Sequence, residues 1–268
     1  MSKTATVLDY DDGKAYLPEE AFKISPSSFS RFMSQPHTWF AEQVLGEGTF
    51  EGNTATVIGT IVHYVAEAVA NGEHPSSKEI QQYIDNHTNM EDVNIDEVTR
   101  DYPVMAETLV NDYVLQNIPD KTEDFITYHL GSGVWVAGTV DAYDNGTIVD
   151  YKTYNSKSKP KSIPMYYKYQ LLVYAYIYHK LGYEADRMRL VYINRPIDGG
   201  ISEKTGKPLK SYPPEVTVLN EEITKEDFEF IESVLFLCRD TYLKAREDES
   251  LVYLLYKDYR LKDFKWQQ

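Results

Sequence analysis

Apolar residues recur along this chain with two periods, and the switches between periods lay out the elements. SPSSFSRFMSQPHTWFAEQVLG is helical in period, opens with Ser/Pro capping chemistry and breaks near Pro36. A Gly/Thr-rich turn at 47–56 follows, and then GTIVHYVAEAVANG places Ile61, Val65, Ala68 and Val69 on one stripe, with Gly72 as the stop. Two more amphipathic helices are expected at about 76–88 and 95–116, the second closed by Pro119. The period then changes to that of strands through FITYHL, VWVAGTVDAY and TIVDYKT, separated by Gly131-Ser132-Gly133 and by Asn145-Gly146. Pro164 to Leu181 reads as a helix with Pro in its first turn and Gly182 just past its end. MRLVYINRP and EVTVLN are strands, 198–214 is a flexible loop, and a long helix opens at Thr224. Helix, three-strand meander, helix, strand predicts an α/β fold with a mixed central sheet flanked by helices.

The meander raises the first chemical question. Asn145-Gly146 suits a type I′ turn, because both residues tolerate positive φ. That turn sets Ala142 opposite Val149 and Asp141 opposite Asp150, whereas a turn at Asp144-Asn145 would shift the pairing by one. Directly opposed side chains lie roughly 4.5–5.5 Å apart at Cβ, where like charges repel. A cation between them would reverse the sign. Alternation then puts Lys152 on the face of Asp150, and Val140, Ala142, Val149 and Tyr151 on an apolar face behind it.

Composition narrows the setting. The 42% hydrophobic content is enough for a proper core, so one domain is expected over 26–268, with a core at about 55–195, a helical extension at about 221–250 and an acidic lead-in over 1–25. The single cysteine, Cys238, cannot form an internal disulfide or a multi-cysteine zinc site and fits a reducing cytoplasm. The longest apolar run, LLVYAYIY, is too short to span a bilayer, so no membrane is expected. Net charge is −15, yet residues 151–170 hold Lys152, Lys157, Lys159, Lys161 and Lys168 and no acid, which leaves −20 for the rest. The one basic stretch therefore follows directly on the two aspartates, as a loop steering a polyanion to them would; a solvated loop is the plain alternative.

GTIVH, GTVD, DYK and then Gln170 with Tyr174, in that order, resemble the RecB-like, phage-type exonuclease branch of the PD-(D/E)XK nucleases, over about residues 26–195. The resemblance implies a restriction-endonuclease-like fold and a metal-dependent DNA exonuclease acting in recombination, repair or replication, with DNA and proteins of those processes as partners. Hydrolysing a phosphodiester needs an activated water and relief of charge building on phosphorus, and magnesium supplies both while asking for only one or two protein carboxylates. Asp141 and Asp150 offer these. The resemblance adds the backbone carbonyl of Tyr151 and the imidazole of His63 as ligands, and an imidazole suits manganese as well. Only neutral imidazole coordinates, so activity is expected to fall below neutral pH. Lys152 would orient the water and stabilise developing charge, or else simply neutralise two acids. Glu67, one turn beyond His63, is an extra ligand, a support for one, or a surface glutamate.

The resemblance makes Gln170 and Tyr174 a pair that positions the lysine and touches the substrate backbone. Ser27 and Ser28, beside Phe29, match a helix start that lies near DNA in relatives, and their hydroxyls also suit plain capping. With Lys157, Lys159, Lys161 and Lys168 they form the expected substrate contacts, and Tyr166 and Tyr167 could stack on bases. Some relatives clamp an iron-sulfur cluster with four cysteines; here Gln35-Pro36 stands at the first position, so no cluster is expected. No GxxxxGK[ST] occurs, so any unwinding comes from a partner. Two other readings stand beside the exonuclease. One is a silent nuclease-fold module that binds DNA or a protein partner through 221–250, where ten acids face four bases. The other is a metal hydrolase of a small phosphate ester.

Overall fold

The computed structural model describes residues 21–46, 52–88, 90–155, 158–197, 199–202 and 204–248. The expected lead-in up to residue 20, Lys157 and part of the 47–56 turn lie outside them. Among the described residues the elements are β1 (Phe22–Ile24), α1 (Pro26–Ser34), α2 (Pro36–Gln43), α3 (Thr54–Ala70), α4 (Ser77–Asn86), α5 (Ile95–Asp112), β2 (Lys121–Gly131), β3 (Val134–Asp144), β4 (Thr147–Tyr154), α6 (Met165–Lys180), β5 (Arg187–Asn194), β6 (Val216–Glu222) and α7 (Lys225–Glu247). The caps are those the sequence offers. Ser25 accepts from Ser28 N at the head of α1, Pro36 starts α2, and Thr224 with Asp227 forms a capping box on α7.

The sheet is mixed, as expected. β2 runs antiparallel along one edge of β3 for nearly its whole length. The other edge of β3 is shared: β1 pairs in parallel at Val134–Val136, and β4 pairs antiparallel at Ala142–Asp144. Ala137–Asp141 on that edge lie in no ladder, which leaves a seam between β1 and β4. β5 follows β4 in parallel through the α6 crossover, and β6 closes the sheet antiparallel to β5. No described helix is long and apolar enough to cross a membrane.

Both faces of the sheet are covered. On one, Ile148, Leu190 and Tyr192 pack with α1, α2, α6 and α7; on the other, Ala142, Val149, Tyr151 and Val191 pack with α3, α4 and α5. The expectation of a single apolar face is thereby corrected. Val140 and Ala142, two residues apart, go to opposite cores, because alternation in β3 slips at Asp141. β2 slips with it: Thr122 pairs with Ala142 and Asp124 with Val140, and Glu123 between them takes a left-handed φ of 44°. Two other expectations change. Phe22–Ile24, inside the presumed lead-in, joins the sheet. The segment expected as a flexible loop folds into a hairpin through the bridges Ile197 to Tyr212 and Ile201 to Pro208.

Candidate active site at the seam of the sheet

The β3–β4 turn forms as its residues dictate, with φ of 41° at Asn145 and 82° at Gly146. Its register is the expected one, Ala142 against Val149, but the ladder stops there. Asp141 and Asp150 therefore stand just beyond the last pair. The carboxylate of Asp141 takes over where the backbone ladder ends: Tyr151 N donates to its Oδ2 at 2.7 Å. Lys152 Nζ lies 2.7 Å from both oxygens of Asp150. It donates to Oδ1, while Oδ2 meets the ammonium as an ion pair and is a buried oxygen with no hydrogen bond of its own.

α3 approaches from the other face. His63 Nδ1 is 3.6 Å from Asp141 Oδ2, its ring stands edge-on to Tyr151 with centroids 5.9 Å apart, and its side chain is 24% exposed. Glu67 lies one turn on. Glu123, facing Asp141 across the β2–β3 ladder, completes the group, and sequence reading missed it. Counting back from the Gly131-Ser132-Gly133 turn would have set an acid opposite Asp141. Nothing in the sequence announces the left-handed backbone of a glutamate within a strand.

The electrostatics are those of an acid-rich site with one lysine. Burial raises Asp150 to about 6, with Asp141 adding to the rise and Lys152 opposing it. Burial likewise raises Asp141. Glu123 is pushed well above the carboxylate range, by burial first and then by Asp141, Glu67 and Asp150. Burial disfavours the Lys152 ammonium, but Asp150 and Asp141 overcome it and hold the lysine charged. Burial and the Lys152 charge lower His63 to about 4, against the pull of Asp150 and the Tyr151 backbone, so the imidazole is neutral at physiological pH. The His63 imidazole is thus held neutral well below its ordinary range, and Asp150 takes up a proton at higher pH than His63 does.

The residues fit a divalent cation by chemistry. Asp141, Asp150, the Tyr151 carbonyl and neutral His63 supply hard oxygens and one imidazole, and the hydrogen-bond-free Oδ2 of Asp150 is an acceptor buried among other acids. As arranged, no three His, Cys, Asp or Glu side chains among the described residues close round one point. The ammonium of Lys152 sits on Asp150 instead.

The remaining expected residues separate. Gln170 is buried on α6, and the Tyr174 ring packs at the seam, where a Cβ on Gly138 would lie 3.0 Å from Tyr174 Cε1 and 2.7 Å from Pro26 Cδ. Lys152 lies 5.5 Å from the ring centroid of Tyr167, which stands edge-on to Tyr192, the partner of Lys152 in the β4–β5 register. The half-exposed Tyr167, expected to stack on bases, has the Lys152 ammonium against its ring. Ser28 is buried with its hydroxyl accepting from Trp39 Nε1 at 2.9 Å, a core role, while Ser27 bonds to the Ser25 hydroxyl at the surface. Lys168 pairs with Glu221 at 2.7 Å and Lys159 pairs with Glu215, so β6 and its approach neutralise two of the expected substrate lysines. Lys161 is exposed.

These residues belong to a mixed α/β nuclease fold, and the comparisons agree. The family model of the PD-(D/E)XK nuclease superfamily matches residues 23–245, and the chain belongs to that superfamily. No curated protein matches it in sequence. Among solved structures, a presumed exonuclease from Eubacterium rectale is similar, with a TM-score of 0.56 and 16% identity over 93% of this chain and 88% of that one. An alkaline exonuclease from Laribacter hongkongensis gives 0.34 and 15% over 73% of this chain and 93% of that one.

Proposed function

We propose that this nuclease is a metal-dependent DNA exonuclease of the RecB-like type, folded as one domain from about residue 22 to 247. The observation that carries the reading is the convergence of Asp141, Asp150, Lys152 and His63 at the seam, where the strands have ceased to pair and side chains from both faces can meet one phosphate. Asp141, Asp150, the Tyr151 carbonyl and His63 would hold magnesium or manganese. When bound, such an ion supplies a water of lowered pKa and neutralises charge on the scissile phosphate.

This chain's residues do the rest. Carboxylates beside a held lysine keep the site anionic enough to bind a cation and leave one ammonium to face the phosphate. Lys152 donates to a non-bridging oxygen or to the attacking water as the P–O bond breaks, a role for a compact positive charge. Tyr167 holds that ammonium from the α6 side. The neutral imidazole of His63 stays available as a ligand far below pH 7. Gln170 and Tyr174 fix α6 against the seam.

Cleavage of end-labelled single- and double-stranded DNA in magnesium or manganese, with wild type beside Lys152→Ala, tests the reading. Metal-dependent cutting that the variant loses while keeping its circular dichroism supports it, and the product ladder gives exo or endo action and polarity. If wild type cuts no DNA, the site is a relic or serves another phosphate ester.

A further inference from the structure

The hairpin between β5 and β6 lies outside the group of site residues, yet it is a basic patch on a predominantly acidic chain. Residues 199–212 hold Lys204, Lys207 and Lys210 against one acid, Glu203, in a chain of net charge −15. All three lysines are exposed, and none makes an ion pair among the described residues; Lys210 lies over the Tyr212 ring at 5.2 Å. Ile201 is 71% exposed and Leu209 48%, so aliphatic surface flanks the charges. The lysines expected as substrate contacts after β4 are by contrast partly consumed, Lys159 by Glu215 and Lys168 by Glu221.

The hairpin is built, not loose. Leu209 N donates to Gly200 O at 3.0 Å, Ser202 N to Lys207 O at 2.9 Å and Gly206 N to Ser202 O at 2.8 Å. The two sides approach so closely that a Cβ on Gly199 would lie 2.1 Å from Leu209 O. Its base is anchored twice: Arg195 N donates to Tyr154 O at 2.9 Å, and the Arg195 guanidinium is held by Asp101 and Glu97. Its position follows from register. Lys152 pairs with Tyr192, so Arg195 lies three residues further along, about 10 Å beyond the lysine at the same end of the strands.

Resting on the nuclease reading, we propose that this hairpin is an arm that grips the phosphate backbone of the nucleic-acid strand entering the site, through Lys204, Lys207 and Lys210. Three exposed ammonium groups that make no ion pair among the described residues, on a hairpin rooted near the active site, suit a polyanion. The acidic bulk of the chain repels the same strand and favours its approach along the basic segments.

Salt dependence of binding is the test, read by fluorescence anisotropy of a labelled single-stranded DNA in EDTA between about 50 and 200 mM salt. Each single-strand phosphate contact contributes about 0.7 to the slope of log K against log salt, so the triple variant Lys204→Glu, Lys207→Glu, Lys210→Glu should lower the slope by about 2. It should also weaken binding at least roughly tenfold at the lower salt. A charge-matched triple on exposed lysines of α4 and α7, Lys78→Glu, Lys225→Glu, Lys244→Glu, should leave the slope within about 0.5 of wild type. Equal losses in both triples, or none in the first, would overturn the arm. So would a wild type that fails to bind the strand. Wild-type binding without metal-dependent cutting would instead overturn the nuclease reading and leave the arm in place.

Discussion

Two charge clusters, one at the seam beside β4 and one between α5 and the end of β5, behave in opposite ways. Just past β5, Arg195 donates to Asp101 at 2.6 and 3.0 Å and to Glu97 at 2.7 Å, while Arg100 donates to the other Asp101 oxygen at 2.6 Å. Two cations meet two acids. Burial pushes Asp101 up, but the two guanidiniums overcome it and hold the carboxyl below its usual range. At the seam, Glu67, Glu123, Asp141 and Asp150 share one charged lysine, and all four carboxyls are raised. A structural tie is balanced within itself; the seam is short of positive charge by design of its residues, which is the condition for binding a cation from outside.

Removing one carboxylate from each cluster should separate these roles most sharply. Asp101→Asn breaks a balanced buried pair and should cost about 3–5 kcal/mol of stability, read by denaturant unfolding, with cleavage per folded molecule little altered. Asp150→Asn should abolish cleavage, by roughly 10²–10⁴ in kcat, while stability in the absence of metal holds or rises. Reversed outcomes would make the Asp101 cluster the functional one.

A smaller and reversible effect should come from the ion itself. Magnesium or manganese at about 100 times its Kd should stabilise wild type by about 2.7 kcal/mol, or roughly 5–11 °C in Tm. The shift should vanish in Asp141→Asn. A full shift in that variant would place the ion elsewhere.

The lysine's second partner should show next. Losing a partly desolvated cation–π contact costs about 0.5–2 kcal/mol, so Tyr167→Leu should lower kcat about 2–30-fold, and Tyr167→Phe should restore most of it. Loss of equal size in both variants would assign the effect to the hydroxyl.

The pH dependence of metal-free stability should separate the two clusters as well. Asp150 is raised from 3.8 to about 6, so its contribution is present below pH 4 and is lost as pH rises to 6. His63, lowered from 6.5 to about 4, works the other way across that window. Wild type should therefore lose stability relative to Asp150→Asn between pH 4 and 6, by differential scanning calorimetry, and the gap should be steady above pH 7. Asp101→Asn should show the opposite trend, widening its deficit as pH rises through the carboxylate range, because the bond it lacks is worth most when ionised.

How far the sequence led depended on the range of the interaction. The Asn145-Gly146 turn, the Pro36 break and the Thr224 cap are local, and each formed where its residues put it. Register followed from the turn as far as Ala142 against Val149, which leaves Asp141 and Asp150 just beyond the last pair. The slip at Glu123 and Asp141 was not legible, because a paired kink depends on two strands at once. The Arg195 to Asp101 tie spans 94 residues and leaves no periodic trace. Ser28 shows the limit at a single residue: its hydroxyl suits a cap, a substrate contact or a buried acceptor, and only Trp39 decides among them.

The seam also joins the shortest and the longest loop closures of the sheet. β2, β3 and β4 are joined by tight turns, so their pairing closes short loops, whereas Phe22–Ile24 must find Val134–Val136 more than a hundred residues away. That distant strand brings α1 with it and sets Pro26 against Gly138, so the wall beside the site is the contact that costs the chain the most loop entropy.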